Sequence, residues 1–173
     1  MSSETGMRFE GRCWKFGDNI PTDRLVKSRY VFEPMSEIVK HVLEDLNPAF
    51  PLEVQPGDIL VAGKHFGQSS GRAIATKGLK ATGIGCVVAH TFARTFYRNC
   101  FEVGLPALEL PGVSELVHDG DQLVVNVAAG NFRNVTTGEE RNVRPADPFL
   151  LEMLEAGGLI KLAAMRTDWA SGQ

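Results

Sequence analysis

Between residues 63 and 72 the chain reads Gly-Lys-His-Phe-Gly-Gln-Ser-Ser-Gly-Arg. Two adjacent hydroxyls, Ser69 and Ser70, and an arginine, Arg72, stand there among glycines at 63, 67 and 71. Glycines let backbone N–H groups approach a ligand closely, and a following helix N-terminus adds further N–H groups and a dipole that favours an anion. Arg72 supplies a planar fork that matches a carboxylate. A serine held in such a cationic nest can have its alkoxide stabilised and act as a proton-abstracting base. The plainer reading of the same residues is a helix cap, with Ser69 or Ser70 accepting from first-turn amides. The loop lacks the Gly-Lys-Ser/Thr ending of a Walker A loop, and it is not the Gly-x-Ser-x-Gly elbow of esterases.

The elements that must hold this loop are legible on either side of it. Asp58 to Gly63 is an apolar run ending at glycine, the pattern of a buried strand that feeds the loop. Arg72 to Thr82 reads as a helix ending at Gly83, and Cys86 to Ala89 as a second short buried strand. Thr91 to Phe101 has helical spacing, with Phe92, Phe96, Tyr97 and Phe101 as core, and Gly104 and Pro106 end it. Strand, loop, helix, strand, helix in this order predicts a parallel βαβ unit with a right-handed crossover. Upstream, Phe9 to Trp14 forms a strand, Asp18 and Asn19 a turn, and Pro34 to Leu46 an amphipathic helix stopped by Pro48 and Pro51. From Val113 the character changes. Gln122 to Val127 alternates as a strand, residues 134–140 offer another short strand and a tight turn, and Pro148 to Gly157 closes with a short helix. The expectation is an α/β fold with a parallel βαβ core and a hairpin-rich C-terminal half. It forms one domain over residues 1–173, with residues 1–8 and 166–173 as flexible tails.

Composition narrows the functional classes. With a net charge of −3, the chain has no basic footprint for nucleic acid or an anionic membrane, so an anionic ligand must be caught by local arginines and amides. Hydrophobic residues are 43% and charged residues 23%, enough to bury a real core. Cys13, Cys86 and Cys100 are widely separated, with no Cys/His cluster, so the chain is expected to bind no metal or iron–sulfur cluster of its own. An odd cysteine count without disulfide spacing suits a reducing cytoplasm. The residues before Phe9 are polar and acidic, without the apolar core of a signal peptide, and no apolar run approaches a membrane span.

The loop resembles the Phe-Gly-Cys-Gly-Ser-Ser-Arg-Glu-His-Ala signature of the aconitase/isopropylmalate dehydratase swivelling-domain family. Phe66, Gly67, Ser70, Arg72 and Ala75 match it, while Gln68, Ser69, Gly71, Ala73 and Ile74 depart. Further stretches agree in order. Thr22-Asp23-Arg24-Leu25-Val26-Lys27-Ser28-Arg29-Tyr30 is similar to the family's Thr-Asp-x-Ile-Ile-Pro-x-Arg-Tyr segment. Gly57 to Gly63 matches the strand before the loop, and Phe92-Ala93-Arg94-Thr95-Phe96-Tyr97-Arg98-Asn99 resembles the Phe-Ala-Arg-Ile-Phe-Tyr-Arg-Asn helix, followed by Gly104-Leu105-Pro106. The resemblance covers most of residues 11–106.

It implies a β/β/α swivelling domain that serves as the small subunit of a hydro-lyase acting on a 2-hydroxy dicarboxylate, as in leucine biosynthesis. It also implies a large partner subunit holding a [4Fe–4S] cluster, whose iron binds the substrate hydroxyl and carboxylate. The family's base maps onto Ser70, its carboxylate clamp onto Arg72, its second serine onto Gly71 and its active-site aspartate onto Asp23. Gly67, Ser69 and Gly71 would then line the substrate, and Arg29 would read its far end. Losing a hydroxyl at Gly71 and the Glu-His pair at Ala73 and Ile74 either retunes the choice of diacid or weakens activity. A reading of a different class keeps the fold as a non-catalytic module for a small anion. His65 is a candidate to assist proton transfer, with a solvated or packing role as the plainer assignment; Arg94 and Arg98 line the anionic pocket or the partner interface, or else lie on a solvated helix face; His90 follows a buried strand, and its role is open.

Overall fold

The computed structural model describes residues 7–69 and 72–166. Its centre is one continuous seven-stranded mixed sheet in the order β4-β3-β2-β1-β5-β6-β7. The strands are β1 (Arg8–Lys15), β2 (Ile59–Ala62), β3 (Cys86–Ala89), β4 (Ala107–Glu109), β5 (Gln122–Asn126), β6 (Asn131–Asn134) and β7 (Glu140–Asn142). The helices are α1 (Thr22–Leu25), α2 (Met35–Ile38), α3 (Phe50–Glu53), α4 (Ile74–Ala81), α5 (Arg94–Val103), α6 (Pro148–Ala156) and α7 (Leu159–Met165), with 3-10 turns at Ser28–Tyr30 and Val113–Glu115.

β1 joins the two halves of the sheet. Its last residues pair in parallel with β2, Cys13 opposite Ile59 and Lys15 opposite Val61. Its first residues pair antiparallel with β5, from Arg8 opposite Asn126 to Arg12 opposite Gln122. β2, β3 and β4 continue the parallel half, and β5, β6 and β7 form the expected hairpin-rich half. Every residue of β2 and β3 is fully buried. That is the mark of parallel strands covered on both faces, and it explains why both read as unbroken apolar runs. Helix α4 packs on α1, α2 and α5, and α5 packs on α6 and α7.

The buried carboxylate of Asp58 ties β1 to the start of β2. It accepts from the Trp14 indole at 2.9 Å, from the Gln55 amide at 2.9 Å and from the Arg12 amide at 3.2 Å. Truncation would strand all three donors in or near the core. Asp58→Ala is therefore expected to lower the unfolding free energy by roughly 2–4 kcal/mol, read by urea denaturation of the purified chain.

Several elements differ from the sequence reading. The helix expected over Pro34 to Leu46 runs regularly only from Met35 to Ile38. Beyond it the bonds tighten to the i+3 spacing, from Lys40 to Glu37 and from His41 to Ile38. Leu43 then takes a left-handed conformation, φ 57°, and gives its N–H to Leu25 O at 3.1 Å instead of to its own turn. Ile38, Val42 and Leu43 are nonetheless buried, so the apolar periodicity reported burial correctly and regular helix wrongly. β4 and α7 were not foreseen, being too short to carry a periodic signal. Of the expected tails, Met7 is buried and Arg8 opens β1, while Arg166 pairs with Glu152; residues 1–6 and 167–173 lie outside the described residues. No described helix is long and apolar enough to cross a membrane.

Candidate functional site

Because β1, β2 and β3 run parallel, their C-terminal ends open onto one edge of the sheet, and the segments that follow them converge there. Open α/β sheets bind ligands at this edge. The loop after β2 is pinned from both sides. On one side Asp18 Oδ1 accepts the Lys64 amide at 2.7 Å, Gly67 N–H donates to Ile20 O at 2.8 Å and Gln68 O accepts the Thr22 amide at 2.9 Å. On the other, His65 N–H donates to Thr91 Oγ1 at 2.9 Å and Phe66 N–H to Thr91 O at 3.1 Å. Phe66 is buried edge-on against Phe96 and Phe92, with ring centroids 5.2 and 6.1 Å away. Each such aromatic contact adds about 1 kcal/mol beyond area burial.

Glycine is required twice. At Gly63 a Cβ would overlap the Asp18 carboxylate, and at Gly67, where φ is +87°, it would overlap the Phe96 ring. His65 and Ser69 also hold left-handed backbone, at φ 57° and 83°. Two non-glycine residues so disposed within five positions store strain, a feature that clusters at functional sites.

These bonds revise one expectation. The amides of Lys64, His65, Phe66 and Gly67 are all consumed by the protein's own acceptors, so this half of the loop does not present a free anion cradle. Gly67 shapes the turn and packs on Phe96. Ser69 is exposed and lines neither of the recesses around Arg72, while Ser70 and Gly71 lie outside the described residues.

Arg72 and Asp23, distant in sequence, come together on the walls of a cleft of about 180 Å³, with Thr22, Ser28, Val26, Val31 and Ile74. Ser28, Val31, Arg72 and Ile74 also border a wider recess of about 590 Å³ that adds Phe32 and Ala73. The lining combines charged and hydroxyl groups (Arg72, Asp23, Thr22, Ser28) with aliphatic ones (Val26, Val31, Ile74), a mixture that can orient a carboxylate while covering an alkyl group. Phe32 and Ile74 were not anticipated as lining. Phe32 is 98% exposed, and a large apolar side chain left in solvent next to a charged cleft is a signal that burial supplies and sequence does not. Arg29 is absent from both linings. Its guanidinium carbon lies 4.9 Å from the Tyr30 ring centroid and its Nη2 3.8 Å from Glu44. Arg94 and Arg98 are exposed on α5 and border neither recess, and His90 Nδ1 accepts the Gly112 amide at 2.9 Å.

The donor set does not suit a metal cluster. Cys13, Cys86 and Cys100 are fully buried on β1, β3 and α5. Burial pushes all three thiols up, Cys13 to about 12, whereas cluster ligation requires thiolates. Among the described residues no group of three or more His, Cys, Asp or Glu side chains is placed to hold a metal ion.

Residues 27–112 match the family model described as the aconitase C-terminal domain. The chain is 48% identical over 152 residues to the isopropylmalate/citramalate isomerase small subunit of Methanocaldococcus jannaschii, covering 87% of this chain and 90% of that one. It is 41% identical over 161 residues to the 3-isopropylmalate dehydratase small subunit of Thermodesulfovibrio yellowstonii, covering 92% and 96%. The crystal structure of 3-isopropylmalate dehydratase (leuD) from Methanocaldococcus jannaschii superposes with a TM-score of 0.88 at 31% identity, over 95% of this chain and 98% of that one. The chain belongs to the 3-isopropylmalate dehydratase small-subunit family.

As the small subunit of a hydro-lyase in this family, it carries the expected α/β swivelling-domain fold. Within that family fold, residues 72–75, where the loop after β2 runs into α4, and the segment 22–32 together line the recesses that hold Arg72.

Proposed function

We propose that this chain, as a single swivelling domain joined to a cluster-bearing large subunit, dehydrates and rehydrates a 2-hydroxy dicarboxylate carrying an alkyl branch. The observation that carries the reading is the cleft that Arg72 and Asp23 share with the aliphatic side chains of Val31 and Ile74. Arg72 clamps a substrate carboxylate through its planar fork. Ser70 removes the proton alpha to a carboxylate, helped by the neighbouring cationic charge that lowers the cost of an alkoxide. Asp23, a lining residue of the same cleft, orients the polar end of the substrate, and Ser69 and Gly71, members of the Arg72 loop, contact it as well. Val31, Phe32 and Ile74 shield the alkyl branch from water. The cluster of the large subunit supplies the Lewis acid that polarises the departing hydroxyl. Loss of the proton and of hydroxide gives the unsaturated diacid, and water added back at the neighbouring carbon gives the isomer. The unbridged, buried cysteines support a reducing cytoplasmic setting.

The test is reconstitution. The chain and its large subunit, co-purified without oxygen, are offered isopropylmalate, citramalate, homocitrate and dimethylmalate, and formation of the unsaturated acid is followed. Turnover is expected only with both subunits present and is fastest with isopropylmalate, whose branch fills the apolar recess. A large subunit with an intact cluster that turns over none of the four in the presence of this chain would refute the reading.

A further inference from the structure

The segment carrying Arg29, Tyr30, Val31 and Phe32 is tied to residues 41–45 by contacts that the mechanism above does not use. Glu44 is their hub. Its Oε1 lies 2.9 Å from Lys27 Nζ and 3.8 Å from Arg29 Nη2. Its Oε2 accepts from His41 Nδ1 at 2.7 Å, which places the imidazole proton on that nitrogen. The His41 ring in turn lies flat on Tyr30, centroids 4.0 Å apart and planes within 4°. Lys27 Nζ also reaches Asp45 at 2.7 Å.

Both ends of this network hold their charge. Burial pushes the Glu44 carboxyl up, but the hydrogen bonds from Lys27 and His41 outweigh it and keep the group below its ordinary range. Lys27 is held above its ordinary value by the bonds it donates to Asp45 and Glu44.

The backbone is bent to make the contact. A regular helix through residue 46, which the apolar spacing favours, would carry Glu44 elsewhere. The chain instead holds Leu43 at φ 57° and fastens its amide to Leu25 O, beside Lys27. A buried leucine in left-handed conformation is costly, and partly exposed ion pairs add little to global stability. The arrangement therefore makes sense as a device that fixes the position of a segment.

Taking the cleft as the substrate site, as the reading above does, we propose that Glu44 is a positioning residue. Through Lys27, Arg29 and the His41–Tyr30 stack it sets where Val31 and Phe32 stand relative to Arg72, and so sets affinity for the alkyl branch of the substrate.

Glu44→Gln keeps the shape of the side chain and removes its charge. In the assembled heteromer, KM for the branched diacid is expected to rise about tenfold while kcat changes by less than about twofold, the signature of lost ground-state and transition-state binding alike. Amide hydrogen exchange at Tyr30 and Val31, whose N–H groups bond the Lys27 and Ser28 carbonyls, quickens, while thermal stability stays close to that of the parent. Lys27→Met removes the other end of the pair and gives the same two changes; combined with Glu44→Gln the effect is clearly smaller than the sum of the two, as expected for groups in one coupled network. Faster exchange with unchanged KM marks a purely structural tie and overturns the proposal, as does unchanged exchange or a loss that falls on kcat. If Glu44→Gln fails to fold, Lys27→Met decides by the same criteria. Exchange is read without turnover, so a heteromer inactive on every diacid would sink the functional reading while the tie itself is still measured.

Discussion

Ser70→Ala is expected to lower kcat of the assembled heteromer about 10³-fold, with KM and subunit association nearly unchanged. A serine hydroxyl is a poor base in water, and it becomes a useful one only where its alkoxide is stabilised by fixed positive charge and shielded from solvent. Arg72, two residues on, is the cation in this chain that lines the cleft with Asp23. Alanine deletes one oxygen and leaves the carboxylate clamp intact, so the loss falls on proton removal and spares binding. Exchange of the substrate's alpha proton with solvent deuterium, measured beside turnover, should disappear in parallel. A variant that keeps kcat within tenfold and still exchanges that proton removes Ser70 from the chemistry. It would favour the anion-holding module, for which the departures at Gly71, Ala73 and Ile74 already speak.

Arg72→Lys should cost kcat/KM a factor of about 10² to 10³ even though the charge is kept. A guanidinium presents paired N–H donors in one plane and meets both carboxylate oxygens at once. An ammonium on a flexible stem is a point charge that satisfies one oxygen and must be ordered to do so. Arg72 is exposed at the cleft, so fold stability should move by no more than about 0.5 kcal/mol. The outcome that would count against the clamp is a lysine variant as efficient as the parent. Restoration by added guanidinium in Arg72→Ala would support it from the other direction.

Much of this was legible in the chain itself. The buried strands Ile59–Ala62 and Cys86–Ala89 are unbroken apolar runs because parallel strands are covered on both faces, and such runs are local facts of sequence. Phe66, Gly67, Ser70 and Arg72 identified the loop, and Asp23 its partner segment, because a family's chemistry fixes residue types at fixed spacings.

Other features had no local signature. The kink at Leu43 arises from an amide captured by Leu25, and the hub at Glu44 from side chains of two segments more than ten residues apart, 27–30 and 41–45. The amides of residues 64–67 read along the chain as open to a ligand, and only packing brings Asp18, Ile20 and Thr91 to occupy them. Nothing along the chain singles out Phe32, and only its exposure beside Arg72 marks it as part of a recess. Which residue types are on hand and which strands are buried can be read along the chain, since periodicity and short motifs are properties of neighbouring residues. Which donors stay free, and which side chains meet across the cleft, was decided by packing between distant segments, and that information exists only in three dimensions.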